Sequence, residues 1–497
     1  MSAKPKRKST TTSVFGAGRR ESHDASAFYE RFTPPEISDD DTVNPRREVD
    51  RIYCGDARDM ADIEDNSVAL VVTSPPYWAG KEYEEAIGEG HVPASYLDYL
   101  VMLRDVFAEC LRVLEPGGRI AVNVANLGRK PYRSLSADVI RILQDDLQLL
   151  LRGEIIWWKA KGATGSTAWG SFQSPANPVL RDLTERVIVA SKGRFDRAIP
   201  RKHRARRGLP SEITVFKDEF MEATTDIWEM APESATRVGH PAPFPVELPQ
   251  RLIDLYTYRD DVVLDPFMGS GSTAVAAVRT YRRYLGFDTD PDYVAAAEHR
   301  VAAEVARRDA AAGESRPRSV SLPALPQPAN PDEDYQSRAV REGQKAQEVA
   351  RAILLDCHFM EIKENAKVGS VEVNFSARDQ AGDLWYFDVS GAFTSSRPGL
   401  RRTDTLWKAL GKAATLRLQM TEHNTGKLVL LTTDLPAAGS AGDAALAANA
   451  QHTFFDAIEM LTTKGQSKLR AYAAGGMIAP VGQPLDPDAA ELDGPAQ

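Results

Sequence analysis

The chain has 497 residues, of which 42% are hydrophobic and 26% are charged, and this predicts a globular protein of two or three domains. The formal net charge of -9 excludes a global attraction to nucleic acid, so that only a local basic patch could supply one. No apolar stretch is long enough to span a bilayer and no secretory signal is recognisable, which predicts a cytoplasmic protein without a membrane partner.

Changes of composition divide the chain into five parts. Residues 1–47 are predicted to be a basic, largely disordered arm, because the first twenty contain six cations and no acid. Residues 48–306 form a first domain, and 307–337 are a linker rich in Pro and Ser. A second domain is expected at 338–480, followed by a disordered tail at 481–497. The three cysteines are far apart without metal-ligand spacing, so no zinc site is expected.

Apolar runs alternate with helical patterns throughout the first domain. The runs are "IAVNVA" at 120–125, "GEIIWWKA" at 153–160, "RVIVAS" at 186–191, "DVVLDPF" at 261–267 and "YLGFD" at 284–288. This alternation is typical of a mostly parallel sheet with helices on its faces, and it predicts an α/β fold.

A Gly-rich turn follows one of these runs in "VVLDPFMGSGSTAVAAVRT", residues 262–280. Gly269 and Gly271 would let the backbone approach a ligand, and the helix after them would offer free N–H groups. Asp288 ends the next strand, at the distance where nucleotide-binding folds hold a ribose. Since the phosphate-binding lysine and the dinucleotide glycine spacing are absent, a nucleoside without a phosphate chain is predicted.

Another run, "VVTSPPYWAG" at 71–80, places Ser74, two prolines and two aromatic residues at the end of a strand. Together, "TSPPYW" and "DPFMGSGST" resemble the amino-directed DNA methyltransferases, which use S-adenosylmethionine to methylate an exocyclic amine of cytosine or adenine. The S-P-P-Y element precedes the Gly-rich element, as in the beta arrangement of that family. "IYCGDARDM" at 52–60, "LRVLEPGGRIAVNVAN" at 111–126 and "HPAPFPVELPQRLIDLY" at 240–256 extend the resemblance over residues 48–300.

The resemblance implies a Rossmann-like, S-adenosylmethionine-dependent fold with circularly permuted motif order, and it assigns roles to particular residues. Ser74, Pro75, Pro76 and Tyr77 would be catalytic: the Ser74 hydroxyl and Pro75 carbonyl would accept the amine N–H groups, and Tyr77 would stack on a flipped base. The predicted contacts to S-adenosylmethionine are Asp56, Pro243, Phe244, Asp265, Phe267, Gly269, Gly271, Ser272, Thr273 and Asp288. Serine at the first motif position favours cytosine N4, with adenine N6 as the alternative.

The partner implied is double-stranded DNA, and the target-recognition region is expected at about 193–237. A dense cationic cluster there predicts phosphate and guanine contacts from Arg201, Lys202, Arg204, Arg206 and Arg207. A second candidate is the Gly/Ser stretch 162–182. Cognate restriction or phage-defence proteins are further candidate partners, and methylation of RNA or protein by the same fold stays open.

The second domain resembles a PD-(D/E)XK nuclease core in its order of helix, hairpin and helix. The corresponding residues would be Glu372 or Asn374, then Asp388 and Ser390, with serine standing where the nuclease has lysine. Lys408 or Lys412 could substitute from the following helix. A degenerate domain is therefore preferred over an active nuclease, which would need a divalent metal and would make the chain a combined restriction-modification enzyme.

Overall fold

The computed structural model describes residues 36–77, 95–126, 132–159, 171, 175–180, 182–233, 244–312, 335–391, 399–420, 425–450 and 452–475. In these ranges the chain forms two sheets, one with eight strands and one with five. No helix within them is both long enough and apolar enough to cross a membrane.

The larger sheet contains β1 (Arg51–Cys54), β2 (Val68–Thr73), β3 (Leu114–Val124), β4 (Leu150–Trp158), β5 (Thr184–Ser191), β6 (Ile227–Glu229), β7 (Val262–Asp265) and β8 (Arg283–Asp288). Their order across the sheet is β1-β8-β7-β2-β3-β5-β4-β6. β5 runs antiparallel to β3 and β4, whereas the other neighbouring pairs are parallel. The α/β class and the mostly parallel sheet predicted from the sequence are confirmed.

Helices cover both faces of this sheet. They are α1 (Tyr96–Val113), α2 (Leu135–Arg141), which continues into a π turn at Ile142–Asp146, α3 (Arg201–Arg206), α4 (Lys217–Ala223), α5 (Glu247–Tyr256), α6 (Ser272–Arg279) and α7 (Pro291–Ala312). Successive residues of β2 point to opposite faces: Val71 packs with α1 and α2, whereas Leu70 packs with α5 and α6. All six residues of β2 are buried, as expected of a central parallel strand.

The strands that carry the two sequence motifs are neighbours in the sheet. β2 and β7 pair in parallel with Leu70 opposite Val263, although the motif residues Thr73 and Asp265 are 192 residues apart in the chain. Because the two strands are parallel, the S-P-P-Y turn and the Gly-rich turn both lie at the carboxyl edge of the sheet. We call this edge, with the turns that leave it, the carboxyl edge.

The smaller sheet contains β9 (Met360–Val368), β10 (Val371–Arg378), β11 (Leu384–Ser390), β12 (Lys427–Thr432) and β13 (Asp456–Glu459), in the order β13-β12-β11-β10-β9. Its helices are α8 (Tyr335–Asp356), α9 (Thr403–Gln419), α10 (Ala441–Asn449) and α11 (Thr463–Ala473). The predicted hairpin is β10 and β11, which pair antiparallel, and helices α8 and α9 flank it in the chain. β11, β12 and β13 are parallel.

The region predicted to recognise the DNA target holds the two sheets together. Lys217, the first residue of α4, lies 2.6 Å from both Asp434 and Glu459, which follow or end strands of the smaller sheet. Asp218 accepts hydrogen bonds from the Thr463 backbone and hydroxyl. Phe216 is buried in the core of the smaller sheet. This contact combines apolar burial with paired charges.

Part of the predicted N-terminal arm is attached to the larger sheet. The Ser38 amide donates to the Gly193 carbonyl at 2.7 Å, and the Asn44 amide donates to the Asn66 carbonyl at 3.0 Å. Residues 36–47 therefore have defined contacts, in contrast to the disorder predicted from composition, because a few backbone hydrogen bonds suffice where apolar residues are scarce. Residues 1–35 lie outside the described chain.

Candidate active site

A buried carboxyl group joins the two motif turns. Asp265 is fully buried and accepts hydrogen bonds from the Thr73 hydroxyl at 2.6 Å, the Thr273 hydroxyl at 2.7 Å and the Phe267 amide at 3.1 Å. Burial raises the pKa of Asp265 to about 7, against the hydrogen bonds from Thr73 and Thr273. Asp265 thus fixes the Gly-rich turn beside the end of β2.

Asp265 and Thr273, both predicted to bind the cofactor, lie behind the Gly-rich turn. Neither Asp265 nor Thr273 exposes more than 1% of its surface, and both carboxylate oxygens already accept hydrogen bonds. These two residues support the turn from behind because the turn folds over them.

The Gly-rich turn itself is built from residues with left-handed backbone conformations. Gly269 has φ 50° and Gly271 has φ 83°, and Gly271 is the N-cap of α6. The Gly269 amide donates to Asp288 at 2.8 Å, so the acid at the end of β8 is drawn against the turn. Burial raises the pKa of Asp288. The Ser272 hydroxyl is buried and has no hydrogen-bond partner within the described chain.

The turn that contains Asp56 lies beside Asp288. Cys54 pairs with Asp288 in register at the ends of β1 and β8, and the Gly55 amide donates to the Asp288 carbonyl at 2.9 Å. The Asp56 carboxylate also pairs with Arg58 at 2.5 Å. Three turns, after β1, β7 and β8, therefore present acids and amides to one place on the carboxyl edge.

The two phenylalanines predicted to contact the cofactor lie on different faces of the sheet. Phe267 is half-buried against the cluster that contains α1, and Phe244 is buried in the cluster that contains α5. Pro243 lies outside the described residues.

Polar side chains surround Ser74. The Ser74 and Tyr77 hydroxyl oxygens are 2.8 Å apart, and the Tyr77 hydroxyl donates to Glu185 Oε2 at 3.0 Å. Asn123 Nδ2 donates to the Tyr77 oxygen at 3.1 Å and to Glu185 Oε2 at 2.5 Å, and Lys159 Nζ lies 2.8 Å from Glu185 Oε1. We call these five residues the Ser74 network.

Three members of the Ser74 network were not predicted. Asn123 belongs to β3, Lys159 follows β4, and Glu185 is near the start of β5. Because β5 is antiparallel to both neighbours, its first residues meet the last residues of β3 and β4 at the carboxyl edge. The only signal in the sequence is a polar residue within, or next to, an apolar strand.

Tyr77 differs from the predicted stacking platform. Its side chain is 6% exposed and packs in the core cluster with α1. The ring is therefore covered by this cluster, and its hydroxyl is held by Glu185 and Asn123. Pro76 accepts a hydrogen bond from the Tyr99 hydroxyl at 2.5 Å, whereas the Pro75 carbonyl accepts none from the residues that the structure describes. Trp78 lies outside those residues.

Comparisons with known proteins show the family of this chain. Residues 68–299 match the model of a family described as DNA methylase, of the N6/N4 type. The type II methyltransferase M.MjaI of Methanocaldococcus jannaschii is 30% identical over 276 residues, which are 48% of this chain and 87% of the relative. The chain belongs to the N6/N4 family of DNA methylases.

Two further comparisons give similar coverage. The type II methyltransferase M.MthZI of Methanothermobacter thermautotrophicus is 29% identical, over 50% of this chain and 76% of the relative. The structure of a DNA modification methylase from Thermus thermophilus, complexed with S-adenosyl-L-methionine, is 32% identical, covers 52% of this chain and 95% of that chain, and gives a TM-score of 0.39. The family match of the methylase ends before the smaller sheet begins.

The basic cluster of the methylase lies away from the Ser74 network. Arg204, in α3, is 1% exposed and pairs with Glu115 at 3.2 Å and Asp261 at 3.0 Å. Glu115 is near the start of β3 and Asp261 directly precedes β7, so α3 packs at the amino edge of these strands. The prediction that Arg204 contacts DNA is wrong, because its charge is neutralised inside the fold.

The other predicted DNA contacts share this position. Arg201 donates to the Ser211 carbonyl at 2.8 Å, and the exposed Arg207 lies 3.4 Å from Asp41. Arg206 is exposed on the same short helix, which also contains Lys202. The fold therefore does not bring these residues to the carboxyl edge. The Gly/Ser stretch 162–182 lies mostly outside the described residues.

The nuclease-like residues of the smaller sheet are only partly assembled. Lys412 on α9 forms an ion pair with Asp388, as the substitution hypothesis predicts, and burial raises the pKa of Asp388 against this pairing. Asn374 accepts a hydrogen bond from the Val389 amide at 2.7 Å. Glu372 is exposed and pairs in register with Lys367 of β9, and Ser390 ends β11. Within the described chain no three His, Cys, Asp or Glu residues are grouped to hold a metal ion.

Proposed function

We propose that the protein transfers a methyl group from S-adenosylmethionine to an exocyclic amine in double-stranded DNA, and that cytosine N4 is the target. The observation that carries the proposal is the linkage of the two motif turns through Asp265. It holds the Ser74 hydroxyl and the Gly-rich turn at neighbouring strand ends. A methyl donor on one turn and an amine on the other would therefore be held close together.

The Gly-rich side of the site fits a nucleoside cofactor. The left-handed glycines leave the backbone open to close approach, and Asp56 and Asp288 are acids at adjacent strand ends that suit ribose hydroxyl groups. The buried Ser272 hydroxyl has no partner in the described chain and would gain one from a bound ligand. S-adenosylmethionine supplies an electrophilic methyl group when bound.

The Ser74 side fits an aromatic amine. The lone pair of such an amine is delocalised into the ring, and acceptors placed at its N–H groups encourage the nitrogen toward a tetrahedral geometry. The Tyr77 hydroxyl gives its single proton to Glu185, so in the contact between the two hydroxyls Ser74 is the donor. The Ser74 oxygen then keeps a lone pair for one amine N–H, and the Pro75 carbonyl serves the other.

The choice of cytosine N4 rests on Ser74 and on the resemblance to N4-cytosine enzymes at that position. Adenine N6 is the competing target, because the same acceptors suit both amines. The site requires the base to leave the helix, since neither amine is accessible to in-line attack while it is paired.

The test is transfer of labelled methyl from S-adenosylmethionine to duplex DNA. The wild-type protein should label DNA, and Ser74→Ala should lower the single-turnover rate about 100-fold, in the range of other losses of a polar group at the reacting atom. Ser370→Ala, which removes an exposed hydroxyl in the smaller sheet, is the matched control. Equal rates for wild type and Ser74→Ala would remove the catalytic assignment. Stronger labelling of RNA or of peptides than of DNA would remove the substrate assignment.

For the smaller sheet we propose a role without hydrolysis. What supports this is that serine stands at position 390, where the nuclease has lysine, and that Glu372 is exposed on β10. An active nuclease, and with it a combined restriction-modification enzyme, is the alternative. Cleavage of plasmid DNA with magnesium or manganese by wild type but not by Asp388→Ala would establish the alternative.

A further inference from the structure

Glu185 is the acid of the Ser74 network, and it is 8% exposed. It faces Tyr77 from the turn after β2, Asn123 from β3 and Lys159 from the end of β4. Lys159 is its only cationic partner in the described residues, and the Lys159 side chain is 24% exposed. A buried carboxylate next to a catalytic turn needs a reason, because burial of a charge is costly unless it is paired.

The hydrogen bonds of the network have one direction. Tyr77 donates to Glu185, Asn123 donates to both Tyr77 and Glu185, and Ser74 must then donate to Tyr77. These hydrogen bonds provide a path for a proton from Ser74 through Tyr77 to Glu185. Glu185 is the end of this chain, since it accepts in every contact.

We propose that Glu185 is a positioning residue that receives, through Tyr77 and Ser74, the proton lost by the methylated amine. This inference rests on the proposed function and adds a residue to it. The amine nitrogen uses its lone pair to form the bond to the methyl carbon, and the bond from that carbon to sulfur breaks with its electrons left on sulfur. The nitrogen then carries a positive charge and must lose one of its N–H protons.

The proton balance runs through three side chains. The amine proton passes to the Ser74 oxygen, the Ser74 proton passes to the Tyr77 oxygen, and the Tyr77 proton passes to Glu185 Oε2. Each hydroxyl ends with one proton and Glu185 ends neutral, so charge and atoms balance. Lys159 pairs with the other oxygen of Glu185 and orients the carboxylate. Release of this proton to water restores the network.

The same arrangement explains why Tyr77 is buried. A phenol that relays a proton has to keep its oxygen within hydrogen-bond distance of both Ser74 and Glu185, and the buried position of Tyr77 holds the oxygen there.

The test compares Glu185→Gln, Glu185→Asp and Tyr77→Phe with wild type in single-turnover methyl transfer over a range of pH. Gln keeps the shape but cannot accept the proton. We expect its rate at neutral pH to fall about 100-fold, at the low end of what a general base contributes, with the dissociation constant for S-adenosylmethionine unchanged. Glu185→Asp, which keeps a carboxylate, should retain more of the wild-type rate than Glu185→Gln. Tyr77→Phe combined with Glu185→Gln should lose no more than either change alone.

The possible failures are distinguishable. If the wild-type protein transfers methyl and Glu185→Gln has the same rate, the inference is overturned and the proposed function survives. An equal loss in Glu185→Asp and Glu185→Gln, with weaker cofactor binding in both, assigns Glu185 a purely structural role and also overturns it. Absence of transfer by the wild-type protein overturns the proposed function and the inference together.

Discussion

Replacing Asp265 by asparagine should change how the stability of the larger sheet depends on pH. Asp265 is fully buried, and burial raises its pKa to about 7 from an ordinary value of 3.8. At pH values between these two pKa values, Asp265 is protonated in the folded protein and ionised in the unfolded chain. Stability contributed by this proton is complete below about pH 4 and is lost as the pH rises through about 7.

The size of the effect follows from the two pKa values. Their difference corresponds to about 4 kcal/mol in total, of which about 2 kcal/mol is lost between pH 5 and pH 7. Asparagine keeps an oxygen for Thr73 and the Phe267 amide, and the Thr273 hydroxyl can turn toward the Val72 carbonyl, 3.4 Å away. Asp265→Asn should therefore fold, and its stability should not show this loss.

The assay is urea unfolding at several pH values, followed by tryptophan fluorescence, because five of the seven tryptophans precede residue 300. Wild type should lose about 2 kcal/mol more than Asp265→Asn between pH 5 and pH 7. Asp292→Asn, which changes an exposed carboxyl, should follow wild type. Parallel pH profiles for wild type and Asp265→Asn would refute the reasoning that burial governs this carboxyl group.

Three further predictions concern other parts of the molecule. Gly271→Ala should lower the free energy of unfolding by about 2 kcal/mol and weaken S-adenosylmethionine binding in calorimetry. The reason is that Gly271 has φ 83° and that an added Cβ would lie 2.8 Å from the Ala297 Cβ. Gly411→Ala, which has open space around the added Cβ, should not lower the free energy of unfolding. Lys217→Ala should lower stability by about 1–2 kcal/mol in thermal unfolding, because it leaves Asp434 and Glu459 without this partner. Lys464→Ala, which changes an exposed lysine, should not lower it. Equal stability of the two variants would contradict a contact of this strength. The double variant Arg206→Ala, Arg207→Ala should change the dissociation constant for DNA by less than about twofold in fluorescence anisotropy, because α3 lies at the amino edge. A large loss of affinity, with a shallower dependence of affinity on salt, would show that the basic cluster contacts DNA.

The strands and the two motif turns were predictable because each is encoded locally. An apolar run such as that of β7 ends in Asp265 and a Gly-rich turn, and the periodicity and the turn residues specify the strand, the turn and the helix after it. The adjacency of β2 and β7 is a finding of the structure, since nothing local joins residues 192 positions apart.

The Ser74 network and the burial of Arg204 were not predictable, because both depend on pairs that are distant in sequence. Glu185 meets Tyr77 only because β5 runs antiparallel to β3, and a sequence run does not state its direction in a sheet. In the sequence, nothing distinguishes Arg204 from the other cations of the basic stretch at 193–210. Its neutralising partners, Glu115 in β3 and Asp261 next to β7, are distant from it in sequence.

The central claim is that Ser74 and the Gly-rich turn form one site for methylating a DNA base. Its most direct test is mass spectrometry of nucleosides from duplex DNA incubated with S-adenosylmethionine and either wild type or Ser74→Ala. We predict N4-methylcytosine in the wild-type product and a loss of about 100-fold in the initial rate of its formation by the variant. N6-methyladenine would contradict the assigned base, and the absence of any methylated nucleoside, or equal initial rates for both proteins, would contradict the claim itself.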